Sequence, residues 1–326
     1  MSLDDRTGAV DLVQKVSVPG AVMPLAISPN RRFLYASLRS APFSVSTLAI
    51  DQAAGRLSLL STVPLPDNMA YLSTDKTGRF LFGASYMGDK ISINPINRQG
   101  LVQAEPVQVT ATSPHPHSII ADPSNRYLFA PSLGGDSILQ FKFDPVTGRA
   151  TPNAPPFVGA RKGAGPRHIV FHPNGRFVYS TNELDATVNA HGFDAVTGTL
   201  TLVGTASALP ADFRGSAPFS ASDLHITPDG RFLYASERAS NSLAAFAIDP
   251  QTGALASIGS YPTETQPRGF NIDPRGRHLL AVGQTSHSMT SYAIHPEAGT
   301  LAPQHRFSMG KNPNWVEIIA IPYACE

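Results

Sequence analysis

The sequence has almost no cysteine and little charge. Its one cysteine, Cys325, stands next to the C-terminal residue, so an intrachain disulfide and a thiolate metal cluster are excluded. Charged residues make up 15% of the 326 residues and the net charge is +1, which excludes the broad positive field that nucleic-acid and anionic-membrane binding use. The chain also lacks a basic leader with an apolar core, and a membrane-spanning apolar run. We therefore expect a cytoplasmic protein with no nucleic-acid or membrane partner.

What the sequence does contain is a repeated phrase. A turn of Pro or Asp, then Asn or Gly, then Arg leads into an aromatic strand, as in SPNRRFLYAS (28–37), HPNGRFVYST (172–181) and TPDGRFLYAS (227–236). The turn arginines are Arg32, Arg79, Arg126, Arg176, Arg231 and Arg277, so the period is 46 to 55 residues. Periods of this length are typical of β-propeller blades.

A second turn confirms the register of the repeats. The segments Asp144–Gly148, Asp194–Gly198, Asp249–Gly253 and His295–Gly299 each begin 18 residues after a turn arginine. Glycine tolerates the positive φ that closes such hairpins. Each repeat therefore predicts four antiparallel strands, and the fold class is all-β, a β-propeller.

Six repeats span roughly 19–312, and the two ends supply the remainder. PNWVEIIAIP (313–322) resembles an inner strand and GAVDLVQKVSVPG (8–20) an outer strand. Joining both termini removes open sheet edges, so we predict seven blades in a single domain over 1–326. The sequence holds only about two strands of the seventh blade, which leaves an incomplete blade as the alternative.

Polar residues interrupt the repeat where inner strands begin and second strands end. Because the two strands are antiparallel, both positions lie at one mouth of the channel, where propellers place binding groups. We expect the site there. Its candidate residues are His117, Arg167, His168, Glu183, Asp223, His225, Glu237, Arg268, Asn271 and Gln284.

Structural roles compete with functional ones. The turn arginines recur in every repeat and are expected to brace turns, and His172, His278, His295 and His305 are expected to be solvated. His168 and Glu183 form a purely structural pair in one alternative. Glu264 and Gln266 fit loop bracing and function equally well.

Familiar catalytic motifs are missing from the sequence. There is no GxSxG elbow, HExxH, Walker glycine loop, CxxC pair or Rossmann glycine pattern, so we expect no cofactor and no metal. An Arg, His and Glu pocket suits a small anion and acid–base chemistry at a carbonyl.

Long segments resemble the lactonase family of seven-bladed propellers. These are GAGPRHIVFHPNGRFVYSTNEL (163–184), DLHITPDGRFLYASER (223–238), TETQPRGFNIDPRGRHLLAVGQ (263–284) and PNWV (313–316). The resemblance implies a cofactor-free enzyme that hydrolyses a sugar lactone, with 6-phosphogluconolactone as the expected substrate, and a monomer or weak homo-oligomer.

The resemblance also implies roles for the matching residues. His168 or Glu183 is expected to activate water, Arg268 with His225 to stabilise the oxyanion, and Arg167 to hold phosphate or carboxylate. The resemblance adds Gln284 as a substrate-binding residue, and the positions at the channel mouth add His117, Asp223, Glu237 and Asn271, which are also expected to bind substrate.

Three alternative functions remain open. One is a muconate-type lactonizing cycloisomerase, one is a propeller that binds a ligand or protein without turnover, and one is a calcium-dependent lactonase, which needs a cage of carboxylates.

Overall fold

A computed structural model describes residues 1–216 and 218–321 of the chain, which divide into two compact units. The first unit comprises Met1–Ser2, Asp11–Phe157 and the described residues from 319, and the second comprises Leu3–Val10 and Val158–Ile318. The described residues contain strands and turns but no helix. The single-domain expectation for 1–326 stays a prediction.

The first unit contains three antiparallel four-stranded sheets, which we call blades 1 to 3 in chain order. The short strands β1 (Ser2–Leu3) and β2 (Val10–Asp11) precede them. The twelve blade strands are β3 (Val22–Ile27), β4 (Phe33–Leu38), β5 (Ser44–Ile50), β6 (Leu57–Pro64), β7 (Tyr71–Thr74), β8 (Phe80–Ser85), β9 (Lys90–Pro95), β10 (Gln108–Ala111), β11 (Ile120–Ala121), β12 (Tyr127–Ser132), β13 (Ser137–Asp144) and β14 (Arg149–Gly159).

The second unit contains blades 4 to 6, built in the same way. In every blade of both units, consecutive strands are hydrogen-bonded neighbours, as the sequence predicts. The strands are β15 (Pro166–Phe171), β16 (Phe177–Asn182), β17 (Thr187–Asp194), β18 (Thr199–Ser207), β19 (Ala221–Ile226), β20 (Phe232–Glu237), β21 (Ser242–Ile248), β22 (Leu255–Pro262), β23 (Pro267–Ile272), β24 (His278–Gly283), β25 (Ser288–Ile294) and β26 (Leu301–Ser308).

The repeated turn residues join one blade to the next within each unit. The Arg176 guanidinium lies 5.2 Å from the Phe177 ring centroid and donates to the Gln251 carbonyl in the next blade, at 3.3 Å. The Tyr179 hydroxyl donates to the Gly253 carbonyl at 2.9 Å. Arg79 and Arg231 make equivalent bonds to the following turns. For these three arginines, bracing of turns is confirmed.

The core lies between the faces of neighbouring blades. In the second unit, Phe177 and Tyr179 of β16 pack with Leu233 of β20 and Phe246 of β21. Another cluster joins blade 5 to blade 6 through residues such as Phe232, Leu243 and Phe270. Burial of these large side chains supplies the apolar stabilisation that a chain without disulfides needs.

The terminal segments pack on blades without forming most of the predicted seventh blade. Among the described residues, 313–321 contain no strand, and 8–20 contain only Val10–Asp11. Val316 and Ile318 pack near Leu280 and Val282 of β24. Pro322, the last residue of the predicted inner strand, and Cys325 lie outside the described residues.

The expectation that His172 and His278 are solvated is wrong, because both are buried. The Nε2 atom of His172 bonds the Gly230 carbonyl at 2.8 Å in the next blade's turn. His278 bonds Gln304 through Nδ1 at 3.0 Å and the Asp5 carbonyl through Nε2 at 3.1 Å. The two rings therefore hold adjoining segments together. His295 and the outer-strand His305 are exposed, as expected.

We predict that Gly253→Ala destabilises the protein. Gly253 has φ +74°, and an added Cβ would lie 2.4 Å from the Phe177 ring. A left-handed residue with a side chain costs about 1–2 kcal/mol, and overpacking adds about 1–3 kcal/mol. Urea denaturation should therefore show a loss of about 2–5 kcal/mol in the free energy of unfolding.

The matched control is Gly204→Ala in β18, where an added Cβ meets nothing within 4 Å. It should unfold close to the wild-type midpoint. Equal effects of the two substitutions would contradict the packing of this turn against Phe177.

Candidate active site

All the candidate residues except His117 lie in the second unit, where β-bulges interrupt the inner strands of blades 4, 5 and 6. Register shifts fall within Pro166–Ile169 of β15, Ala221–Leu224 of β19 and Pro267–Gly269 of β23. Bulges redirect side chains and are common beside active sites. Here they allow Arg167 and His168, which are adjacent in sequence, both to contact blade 5.

Arg167 is a buried cation that is matched by a carboxylate. Its side chain is 1% exposed, its Nε lies 2.8 Å from Glu183 Oε2, and its Nη1 donates to the Ser222 carbonyl at 2.7 Å. Burial lowers the pKa of the Arg167 guanidinium to about 10, which still leaves it charged at neutral pH. Since a buried arginine needs a charged partner, Glu183 stabilises it.

Glu183 is held by a second arginine as well. Its Oε1 lies 2.8 Å from Arg238 Nη2, and the Arg238 Nε donates to the Ser220 carbonyl at 3.0 Å. Burial opposes ionisation of Glu183, but the charges of Arg167, Arg238 and Arg268 outweigh it and lower the pKa of its carboxyl. Both carboxylate oxygens are therefore occupied, and the group is a poor acceptor for a further proton.

Asp223 joins two histidines through its two carboxylate oxygens. Its Oδ1 lies 2.8 Å from His168 Nδ1, and its Oδ2 lies 3.3 Å from His225 Nε2. Burial opposes ionisation of Asp223, but the neighbouring imidazoles outweigh it and hold the pKa of the carboxyl well below its usual range. Asp223 is thus a permanent anion that orients both rings.

The two histidines differ in charge. Burial, followed by the charge of Arg167, lowers the pKa of His168 to about 4, so the ring is neutral at neutral pH. A neutral ring beside a carboxylate carries its proton on Nδ1 and its lone pair on Nε2. For His225, burial opposes the charge, but Asp223 raises the pKa above its ordinary value. One carboxylate therefore holds a neutral and a more readily protonated imidazole.

The alternative in which His168 pairs with Glu183 is wrong. His168 pairs with Asp223 and Glu183 pairs with two arginines. The hairpin does bring the two predicted positions together, since Pro166 of β15 pairs with Asn182 of β16. The actual partners differ in origin: Asp223 and Arg238 come from the next blade along the chain, whereas Arg167 belongs to the same hairpin as Glu183.

The remaining predicted residues have other contacts. Glu237 is fully buried and accepts bonds from the backbone amides of Ser220, Ala239 and Ser240, so it braces its own loop. Gln284 donates to Asn312 at 2.7 Å. A substrate contact by either residue therefore stays a prediction that these bonds do not support.

Asn271 and His117 also make contacts outside the central cluster, which is the group formed by Arg167, His168, Glu183, Asp223 and His225 with their direct partners. The Asn271 amide donates to the Val316 carbonyl at 3.1 Å and so holds the segment 313–318 beside β23. His117 is buried in the first unit, with its ring 5.6 Å from that of Tyr86. Its predicted contact with substrate stays a prediction.

Glu264 has a structural role. Its carboxylate bonds Arg306 Nε at 2.9 Å and the hydroxyls of Ser288 and Thr290 at 2.5 and 2.7 Å. Burial opposes its charge, but the bond from Arg306 outweighs this effect and helps to lower the pKa of Glu264 to about 2. Loop bracing is therefore the interpretation that its contacts support.

Three residues of the cluster were not among the sequence candidates. Arg238 directly follows Glu237, the residue that the repeat pattern indicates as a candidate. Trp315 and Glu317 lie in the terminal segment, where the Trp315 ring is 5.9 Å from the His168 ring and its Nε1 donates to Glu317 Oε1 at 2.8 Å. The motif PNWV marked this segment, but its repeat position indicated only a strand.

Comparisons with known proteins agree with this architecture. The family described as "Lactonase, 7-bladed beta-propeller" matches residues 1–318. A protein named 6-phosphogluconolactonase from Serratia proteamaculans is 42% identical over 313 residues, which cover 96% of this chain and 93% of that protein. One of the same name from Pectobacterium carotovorum is 42% identical over 314 residues, covering 96% and 93%.

Solved structures include the Pseudomonas aeruginosa periplasmic gluconolactonase, at 28% identity and a TM-score of 0.90, with 98% of this chain and 94% of that chain covered. The chain belongs to the lactonase family of seven-bladed β-propellers. The predicted class, an all-β propeller of antiparallel four-stranded blades, is confirmed; six such blades are present among the described residues and the family has seven.

The described residues contain neither a cluster of metal-ligating side chains nor a membrane-spanning helix. Within 1–216 and 218–321, no three His, Cys, Asp or Glu side chains form a group arranged to hold a metal ion. Over the same residues, no helix has the length and apolarity to cross a membrane.

We predict that Glu183→Gln lowers stability. The substitution leaves the buried Arg167 guanidinium without its matching charge, and loss of one partner of a buried ion pair costs about 3–5 kcal/mol. Denaturant unfolding measures this loss directly. The control is Glu297→Gln, because Glu297 and Arg231 form an exposed pair at 3.8 Å, which should contribute almost nothing. An unfolding curve for Glu183→Gln that coincides with the wild type would contradict the assigned role.

Proposed function

We propose that this protein hydrolyses a sugar lactone, specifically 6-phosphogluconolactone to 6-phosphogluconate. Membership of the lactonase family and the names of its relatives support this substrate class. The observation that carries the proposal is the bridge from His168 through Asp223 to His225, placed beside the cations Arg167, Arg238 and Arg268. Lactone hydrolysis needs a base for water and positive charge for the oxyanion, and both are present there.

His168 is the better of the two predicted bases. Its Nδ1 proton is fixed by Asp223, so the lone pair that accepts a proton is on Nε2, as in other Asp–His pairs. Glu183 is bound by arginine at both oxygens and has a lowered pKa. In the proposed step, His168 removes a proton from water as the water oxygen attacks the lactone carbonyl.

His225 and Arg268 supply positive charge to the reaction. His225 is partly exposed, and Asp223 favours its charged form, which suits it to the negative charge that develops on the carbonyl oxygen. Arg268 is also partly exposed. A guanidinium matches the geometry of phosphate and of carboxylate, so we assign Arg268 to the anionic end of the substrate.

The predicted phosphate contact of Arg167 lacks support from its contacts. Arg167 is buried and committed to Glu183 and the Ser222 carbonyl. We assign it instead to the framework that fixes Glu183. Asp223 likewise orients the histidines in this proposal rather than contacting substrate.

Several features of the proposal rest on the sequence alone. These features are that the enzyme needs no metal, is cytoplasmic, and is a monomer or a weak oligomer. The Pseudomonas relative is described as periplasmic, so cell fractionation is the direct test of location.

We expect the protein to accelerate hydrolysis of freshly generated 6-phosphogluconolactone above the spontaneous rate, and to act weakly on unphosphorylated gluconolactone and on 3-carboxymuconate. Arg268→Ala should raise KM for the phosphorylated lactone, because it removes the proposed anion contact. A chelator should leave the rate unchanged. Initial rates with all three compounds measure these effects.

The matched control is Arg277→Ala. Arg277 is an exposed arginine of blade 6 in the turn between β23 and β24, at the opposite end of the hairpin from Arg268. It should retain wild-type kinetics. Turnover of 3-carboxymuconate alone would favour the cycloisomerase, and no turnover of any compound by folded protein would favour the binding propeller.

A further inference from the structure

The segment 313–318 carries two side chains, those of Trp315 and Glu317, on the side that faces the proposed site. An added Cβ on Gly269 would lie 2.7 Å from the Asn314 carbonyl oxygen, so this glycine lets the segment approach β23 closely. The Asn271 amide bonds the Val316 carbonyl at 3.1 Å. The segment is therefore fixed beside the strand that carries Arg268.

Side chains alternate along this segment. Val316 and Ile318 pack into the apolar cluster with Leu280 and Val282. Trp315 contacts the His168 ring, and Glu317 bonds Trp315. Alternation of this kind is that of an extended chain, so Trp315 and Glu317 share the face directed toward the proposed site.

Glu317 is held in a defined position but keeps access to solvent. Its Oε1 accepts the indole proton of Trp315 at 2.8 Å, and the residue is exposed. The other carboxylates of the cluster are engaged differently, since Glu183 is bound by two arginines and Asp223 by two histidines. Glu317 is thus the accessible carboxyl group that the mechanism above does not use.

The charged groups that face Glu317 come from β15 and β19. They are His225 and Asp223, which act on it electrostatically, and His168, which contacts its partner Trp315. The residue keeps an exposed surface, but protein atoms crowd around its carboxyl group, and this local desolvation raises the pKa of Glu317 to about 7, while Trp315 and His225 act in the opposite direction. A group with a pKa near the working pH is well suited to proton transfer.

We propose that Glu317 is the general acid that protonates the leaving ring oxygen, a role that rests on the proposed lactone hydrolysis. After water has added to the carbonyl carbon and His168 has taken the water proton, the bond between that carbon and the ring oxygen breaks. The bonding electron pair goes to the ring oxygen, which receives the Glu317 proton. The products are the hydroxy acid and ionised Glu317, which regains its proton as His168 loses one to solvent.

Trp315 allows the ionisation of Glu317 to be followed without substrate, because it is the one tryptophan in the chain. We expect intrinsic fluorescence to show a titration near pH 7 that is absent in Glu317→Gln, a substitution that retains an oxygen acceptor for the indole. A His225→Asn variant should keep this titration, shifted to higher pH because a cation is lost. If Glu317→Gln retains the same titration, another group is responsible and the proposal is wrong.

Kinetics test the role itself. The acid must be protonated, so wild-type kcat/KM should fall as pH rises above about 7, and the base His168 should make it fall below about pH 4. Glu317→Gln should lower kcat about 10²–10⁴-fold and remove the part of the alkaline decline that Glu317 causes, leaving only the part due to loss of the charge on His225. Trp315→Phe removes the bond that favours the anion, so it should move that decline to higher pH.

The outcomes separate the two proposals. If the wild type hydrolyses the lactone and Glu317→Gln keeps kcat within about twofold, Glu317 is not the acid and the proposed function stands. A low kcat with an unchanged alkaline decline also overturns the role of Glu317. If the folded wild type accelerates hydrolysis of none of the lactones, both proposals are wrong.

Discussion

The electrostatics of the site depend on one buried charge, the guanidinium of Arg167. Because it is 1% exposed, it requires an ionised partner, and Glu183 in the same hairpin supplies one. Glu183 in turn pairs with Arg238, so the cluster holds more positive than negative charge. The charge of Arg167 also disfavours a second cation at the adjacent His168. The buried charge of Arg167 thus accounts for the ionised glutamate and adds to the burial of His168 that keeps this ring neutral, the state that the proposed chemistry uses.

Asp223 extends this ordering to the next blade. The two imidazoles that share this carboxylate lie in different environments. The His168 ring is deeply buried beside an arginine, and the His225 ring is partly exposed and near Glu317. As a result, the pKa of His168 is lowered and the pKa of His225 is raised. Pairs of titratable groups whose environments move their pKa values apart are a general sign of divided acid and base roles. This difference, more than the presence of histidine, is what favours hydrolysis over simple ligand binding.

The sequence alone predicted the blades well because each repeat contains the residues that form its turns. The turn arginines, and the glycines that follow 22 residues later in the last four repeats, define where strands begin and end. The structure places Arg176 of one repeat and Gly253 of the next against the same phenylalanine ring. Ion-pair partners were harder to predict. The sequence places Glu183 and His168 one hairpin apart, but a bulge in β15 lets His168 pair with Asp223 of blade 5, while its neighbour Arg167 pairs with Glu183 and also contacts blade 5. A bulge breaks strict alternation, so it defeats an argument from strand periodicity. The repeat pattern also does not distinguish Glu237 from Arg238 as a site residue. The two are adjacent at a strand end, and only the structure shows that the loop amides bind Glu237.

The terminal segment shows how one stretch of chain serves both fold and chemistry. Residues 316 and 318 fill the apolar cluster of blade 6, and the alternation of an extended chain then directs residues 315 and 317 to the other side. Packing of one set therefore fixes the position of the other. The same logic applies to Gly269, whose missing side chain allows the segment to lie against the strand that carries Arg268. A side chain at that position would separate the segment from the strand, and with it Trp315 from His168. Close packing of backbone on backbone is thus what sets the distance between the tryptophan and the proposed base.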